Sequence, residues 1–157
     1  VDQTPERQEA AVAPGASASL DLLRERAGRV PFPMMVPTVI ERSSWIDREK
    51  PIRLYYMDDE RKHKALRLTF RTGAGNEYWG VQMTDWDGAP VLGGRSFVRT
   101  IGGRRYELFF DGPKLHMVVL RTKKGTYWVV NTLLDRLSNE TMIAIAKGLR
   151  PIGKLEQ

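Results

Sequence analysis

Apolar and polar residues alternate along much of the chain between residues 52 and 130, which is the period of a β-strand. The alternation is regular in "IRLYY" (52–56) and "ALRLTF" (65–70), with arginines on the polar face of this hairpin. It continues, between turn-forming residues, in "EYWGVQM", "SFVRTI", "RRYELFF", "LHMVVLRT" and "TYWVVNTLL". Six or seven short strands joined in sequence by turns predict a meandering antiparallel sheet. A Gly-Gly pair predicts a two-residue turn between the fourth and fifth strands.

The period changes to that of a helix at both ends of the strand region. Near the N-terminus, apolar residues spaced i, i+3 and i+7 predict a helix over Leu20–Ala27, with Ser17 or Ser19 as N-cap. Near the C-terminus, Ser138 stands at an N-cap position before an apolar stripe formed by Met142, Ile145, Ala146 and Leu149. A single stripe buries one helix face. We therefore expect an α+β fold in which N- and C-terminal helices pack on one face of the sheet.

The domain boundary follows from the first residues of the chain. Val1–Ala16 are small, polar and proline-containing, so we interpret residues 1–16 as a disordered tether and residues 17–157 as one domain. At 157 residues and 41% hydrophobic composition, the chain is long enough for one sizeable core. The chain starts without methionine and without a signal-like segment, so we expect flanking sequence in the complete protein.

The residue types that carry most catalytic chemistry are sparse. The absence of cysteine excludes thiolate catalysis and cysteine-ligated zinc. His63 and His116 are far apart in sequence and have no neighbouring serine that would indicate a triad. Asp85 and Asp87 precede a glycine but lack the closing glutamate of a calcium loop. The glycine-rich stretches match no phosphate-binding pattern. We predict no catalytic residue, no metal site and no cofactor, and hence no enzyme in this segment.

Positive charge is concentrated in one part of the chain. The formal net charge is +6, and the segment from Arg95 to Lys124 alone has eight basic residues against two acidic ones. Such an excess favours anionic partners. The predicted polyanion-binding residues flank two neighbouring turns, and they are Arg99, Arg104, Arg105, Arg121, Lys123 and Lys124. The alternative is that these cations only solubilise exposed strands and protect sheet edges.

One polar residue interrupts the last apolar run. Asn131 lies at the exit of the strand "TYWVV", before the connection to the C-terminal helix. Its amide can tie this connection to a neighbouring backbone group, or it can contact a ligand. The sequence favours the structural tie.

The C-terminal half carries a family resemblance. The segments "YELFFDG" and "YWVVNTLLDRLSN" resemble the C-terminal extracytoplasmic domain of actinobacterial LytR-CpsA-Psr (cell envelope-related transcriptional attenuator) proteins. The similarity spans roughly residues 30–150. Proteins of this family carry a separate catalytic domain that transfers a glycopolymer to peptidoglycan, and this chain contains no counterpart of it. The end of the chain, "LSNETMIAIAKGL", is also similar to a domain of some anti-sigma factors.

The resemblance implies a non-catalytic accessory domain of a cell-envelope protein. We expect it to lie outside the cytoplasm, membrane-anchored in the full-length protein, and to bind anionic cell-wall glycopolymer or lipid head groups. The alternative is the sensor ectodomain of a membrane-bound regulator such as an anti-sigma factor. A freestanding enzyme acting on glycan or phosphodiester is a third hypothesis. Nucleic-acid binding would rest on charge alone, because no RNA-binding signature or groove-reading helix is present.

Overall fold

The computed structural model describes residues 10–73 and 77–155 and has the predicted α+β class. The strands and helices, in chain order, are β1 Val12–Pro14, α1 Ala16–Arg24, β2 Met35–Pro37, β3 Val39–Glu41, β4 Trp45–Ile46, β5 Ile52–Tyr56, β6 Lys64–Arg71, β7 Tyr78–Thr84, β8 Phe97–Ile101, β9 Arg104–Asp111, β10 Lys114–Arg121, β11 Thr126–Val130, α2 Asn139–Lys147, β12 Leu149–Pro151 and α3 Ile152–Leu155. One 3₁₀ turn, Pro90–Leu92, lies between β7 and β8.

The main sheet is antiparallel and has eight strands in the order β4, β6, β7, β11, β10, β9, β8, with β5 also paired to β6. Because β4 pairs with the last residues of β6 and β5 with the preceding ones, these two strands share one edge. The seven predicted strands are β5 to β11. The eighth, β4, has only two residues, too few to show a period.

The strands do not all neighbour each other in chain order. β7 pairs with β11, and β8 forms the opposite edge of the sheet. The chain therefore crosses the sheet between β7 and β8, through residues 85–96, and then returns strand by strand to β7. Local periodicity predicts each hairpin, but it carries no information on this long-range pairing.

The two faces of the sheet are covered differently. Leu66, Val81 and Tyr127 point to one face and share an apolar cluster with Leu23 of α1 and Ile145 of α2. Helix α2 packs on this face against β10 and β11, as predicted, whereas α1 packs mainly against β2 and α3. On the opposite face, the crossover segment covers β9 to β11 with a second apolar cluster, formed by Ala89, Leu92, Phe109, Met117, Val119 and Trp128. Over β5 to β7 the opposite face presents the polar residues Arg53, Tyr55, Arg67 and Gln82. This polar area is called the open face below.

The predicted tether boundary is wrong for residues 10–16. β1 pairs with β3, and the backbone N–H of Ala11 donates to Thr141 Oγ1 of α2 at 3.0 Å. Val12 packs against the core, and α1 begins at Ala16 after Gly15, so Ser17 and Ser19 lie inside the helix instead of capping it. A three-residue strand with one apolar side chain leaves no detectable pattern. Residues 1–9, the rest of the predicted tether, lie outside the described residues.

Two local predictions are confirmed. Ser138 is the N-cap of α2, and its Oγ accepts the backbone N–H of Thr141 at 3.2 Å. Gly102 and Gly103 form the turn between β8 and β9 with φ of 57° and 81°, a left-handed pair that glycine adopts without strain. In the ranges that the structure describes, no helix has the length and apolar character needed to cross a membrane.

Candidate anion-binding surface

The two turns predicted to carry cations lie at the same end of the sheet. Leu120 pairs with Tyr106, which places the β8–β9 turn level with the β10–β11 turn at residues 122–125. The turns are two strand spacings apart, about 10 Å. The cations that flank the two turns therefore lie at one end of the sheet, and their binding of a polyanion stays a prediction. This end of the sheet is called the basic end below.

Four of the six predicted residues are free to meet a ligand. Arg99, Arg105, Lys123 and Lys124 are exposed, and within the described ranges none makes an ion pair or a side-chain hydrogen bond. Arg99 of edge strand β8 pairs with the buried Tyr106, so it lies on the helix-covered face. Arg105 pairs with Thr100, the next residue along β8, so it points to the opposite face. Lys123 and Lys124 form the tip of the β10–β11 turn.

The other two predicted residues have structural partners. Arg121 Nε lies 2.9 Å from Glu107 Oε2, and Arg121 Nη1 donates to the carbonyl of Asp87 in the crossover segment. Arg104 Nη1 donates to the carbonyl of Leu149 at 3.0 Å. Arg121 is thus neutralised by a carboxylate, whereas Arg104 is fixed by a neutral carbonyl and keeps its net charge.

The end of α2 and the following strand β12 bring two further cations to the basic end. Its first residue, Asn139, accepts the N–H of Leu115 near the β9–β10 turn, so the helix C-terminus points towards the β8–β9 turn. There Lys147 is exposed, and Arg150 Nη1 donates to the carbonyls of Lys147 and Leu149 at 2.7 and 2.8 Å. The sequence shows both cations at a helix end but not the direction in which the helix crosses the sheet, so neither was predicted as part of the surface.

A groove of about 450 Å³ runs between α2 and strands β8 to β10. Its apolar wall is formed by Leu108, Phe110, Leu115, Ile143 and Ala144. Arg99 and Lys147 line it together with the carboxylate-bearing Glu140. The groove therefore combines an apolar wall with two cations of the basic end.

Asn131 is a structural tie, as predicted. Its Nδ2 donates to the carbonyls of Leu115 and Leu137, both at 2.9 Å, and its Oδ1 accepts the N–H groups of Thr132 and Leu137 at 2.8 and 3.0 Å. The buried amide thus satisfies three backbone groups of the loop between β11 and α2 and one of β10, which ties the loop to that strand. No bonding capacity is left over for a ligand.

The same loop contains a histidine–aspartate pair that the sequence reasoning missed. His116 Nδ1 lies 2.6 Å from Asp135 Oδ1, and Asp135 is 5% exposed with a left-handed φ of 53°. A hydrogen bond from Nδ1 to a buried carboxylate fixes the imidazole in one orientation. In the described part of the chain, Asp135 is the one side chain hydrogen-bonded to His116, so the pair ties β10 to the loop between β11 and α2. The two residues are 19 positions apart, and no motif links them.

Within the described ranges, no group of three or more histidine, aspartate or glutamate side chains is placed to hold a metal ion. Comparisons of the chain with protein-family models, with curated proteins and with solved structures find no match. The resemblance to LytR-CpsA-Psr domains therefore stays a prediction.

Proposed function

We propose that this chain is a non-catalytic accessory domain of a cell-envelope protein and that its basic end binds anionic wall polymer or lipid head groups. The observation that supports the binding role is the convergence of seven cations from three parts of the chain. They are Arg99, Arg104, Arg105, Lys123, Lys124, Lys147 and Arg150, and among the described residues none has a carboxylate partner.

The spacing of these cations suits a polyanion better than a single small anion. The turns are about 10 Å apart, comparable to the screening length near physiological salt. Their potentials therefore add at low ionic strength, and an extended ligand can contact both turns. Protection of a sheet edge would explain Arg99 on β8, but it does not explain why Lys147 and Arg150 of the helix end lie at the same place.

The extracytoplasmic, membrane-anchored location is part of the proposal and rests on the family resemblance. An accessory domain held near the membrane would meet both anionic head groups and wall polymer. The basic end provides an electrostatic surface for either, and the experiment below distinguishes them.

The test is a charge reversal of the four free cations. The variant R99E/R105E/K123E/K124E is expected to lose binding to sodium polyphosphate and to vesicles containing one anionic phospholipid, measured by co-sedimentation at low salt. Arg104 is left intact because it donates to Leu149. Parent binding is expected to weaken steeply as sodium chloride is raised. Binding to polyphosphate alone would indicate polymer, and binding to vesicles alone would indicate lipid.

A matched control carries the same charge change elsewhere. The variant R42E/R48E/K50E/K114E reverses four exposed cations outside the basic end, and it is expected to bind nearly as well as the parent. Both variants should remain folded, since exposed substitutions usually change stability by only about 0.5 kcal/mol each. Equal loss in both variants, or no binding by the parent at low salt, would rule out the basic end as the binding surface.

The groove supports the second candidate, a ligand-binding ectodomain of a membrane-bound regulator. A concave apolar wall with a few polar groups is typical of a small-molecule site. Filling it with Ala144→Trp should abolish binding of a small ligand while leaving polyphosphate binding unchanged. Loss of polyphosphate binding in this variant would instead assign the groove to the polyanion surface.

A further inference from the structure

Two arginines face each other on the open face of the sheet, away from the helices. Arg53 of β5 pairs directly with Arg67 of β6, and Arg67 in turn pairs with Gln82 of β7. Directly opposed residues point to the same side of a sheet, and like charges in this arrangement are destabilising. The open face therefore carries a row of three hydrogen-bond donors with an unfavourable charge pair.

Among the residues that the structure describes, Arg67 has no partner that would offset its burial. The side chain is half-buried, and within the described ranges it makes neither an ion pair nor a hydrogen bond. Burial lowers the pKa of the Arg67 guanidinium, the phenol of Tyr55 opposes this shift, and the positive charge of Arg53 adds to it. In the described ranges, no carboxylate is among the groups that act on Arg67. Burying a charge without a neighbouring anion costs free energy, so an anion bound from solution would stabilise Arg67.

The surrounding residues position this guanidinium and place an amide beside it. A Cβ at position 80 would come within 3.2 Å of Arg67 Nε and 2.6 Å of the carbonyl oxygen of Leu68, so Gly80 allows the guanidinium to lie against the sheet. Tyr55 donates its hydroxyl to Gln82 Oε1 at 2.8 Å, which orients the amide. The Nε2 group of Gln82 has no acceptor among the described residues, so it can donate to a ligand. Arg53 is held over the Tyr55 ring, with its guanidinium carbon 4.8 Å from the ring centroid.

We propose that Arg53, Arg67 and Gln82 form a binding site for an oxyanion group, a phosphate or a carboxylate, on the open face. Guanidinium groups match both oxyanions in a two-point geometry, and an anion between the arginines would remove the repulsion between them. The site lies on the half of the sheet away from the β8–β9 turn and does not depend on the function proposed for the basic end. A purely structural Arg67, whose methylene stem only covers apolar neighbours, is the competing explanation.

The first test is an NMR titration of the parent protein, which follows the arginine Nε–Hε signals. Inorganic phosphate and glucuronate are added separately, with sodium chloride at equal ionic strength as the reference. Saturable shifts of Arg67 and Arg53 with phosphate alone would indicate a phosphate ligand, and shifts with glucuronate alone a carboxylate ligand. Shifts with both would indicate a general oxyanion site. No shift of Arg67 beyond that caused by chloride would overturn the proposal.

The second test uses Arg67→Met, which keeps much of the stem and removes the charge. Phosphate or glucuronate binding is expected to weaken by about tenfold or more, as for loss of a charge-assisted hydrogen bond. In oxyanion-free buffer the variant should melt at the same or a higher temperature than the parent, because the repulsion with Arg53 is gone. A lower melting temperature together with unchanged anion binding would show that Arg67 is structural. Arg105→Met, at the basic end, is the matched control and should leave the Arg67 titration unchanged.

Discussion

Asn131 illustrates how one polar side chain determines the path of a loop. Both ends of its amide bond to backbone groups, so a hydrophobic substitution leaves buried N–H and C=O groups without partners. We expect Asn131→Leu to lower the free energy of unfolding by roughly 1–3 kcal/mol, the cost of unsatisfied buried polar groups. Urea denaturation of the parent and the variant measures this difference.

The neighbouring Leu133 provides a control within the same loop. Its side chain is 89% exposed, so Leu133→Asn should change stability by no more than about 0.5 kcal/mol. Equal stability of Asn131→Leu and Leu133→Asn would contradict the structural role of the amide.

Burial of Tyr127 should make the free energy of unfolding fall at alkaline pH. Its side chain is buried and donates to the carbonyl of Pro33, and burial raises its pKa to about 12 from the ordinary value near 10. Above pH 10 the unfolded chain loses this proton while the folded chain retains it, so stability should fall progressively from about pH 10 to 12.

Tyr127→Phe isolates this contribution. The variant lacks the ionisable group, so its stability should decline less steeply than that of the parent over the same pH range, measured by denaturation at fixed pH values. Identical slopes for the two proteins would assign the alkaline loss to other groups. At neutral pH the variant also lacks the bond to Pro33, which is a separate, pH-independent difference.

At the scale of elements, β1 is the feature for which sequence reasoning was wrong, and its contribution can be measured. A chain that starts at Gly15 lacks the pairing of β1 with β3, the packing of Val12, and the bond from Ala11 to Thr141. We expect it to be less stable than a chain that starts at Ala10 by roughly 1–3 kcal/mol. Thermal and urea denaturation of the two truncated chains measure the difference, and equal stabilities would show that β1 contributes nothing.

The elements also show what the sequence reveals and what it does not. β5 to β11 and α2 were predictable because each has enough residues to show a period and is bounded by a turn or an N-cap. β1 and β4 have three and two residues, and their pairing is decided by tertiary contacts. The placement of β7 beside β11 is likewise non-local. Cations of adjacent turns could be predicted to converge, whereas Lys147, the His116–Asp135 pair and the Arg53–Arg67 register required the folded chain.

At the scale of the whole molecule, charge is distributed unevenly along one end of the sheet. The β8–β9 and β10–β11 turns carry the cations of the basic end, whereas the β5–β6 turn at the same end carries Asp58, Asp59 and Glu60 beside Arg61 and Lys62, with Lys62 Nζ 2.7 Å from Glu60 Oε2. Asp85 and Asp87 follow β7 on the same half, which therefore has no excess of positive charge. A polyanion approaching this end is attracted mainly to the half that carries the basic end, which would orient the domain on its ligand.

The crossover between β7 and β8 also determines the order in which the chain can fold. The hairpins on either side of it close short loops, but β7 meets β11 only after the intervening segment has been brought back, at a larger entropic cost. The two hairpin groups can therefore form early, and their union along β7 and β11 would be the late event that limits refolding. Until β7 and β11 pair, each has an edge without a hydrogen-bonding partner. The partly folded chain at this stage is therefore the form most prone to aggregation.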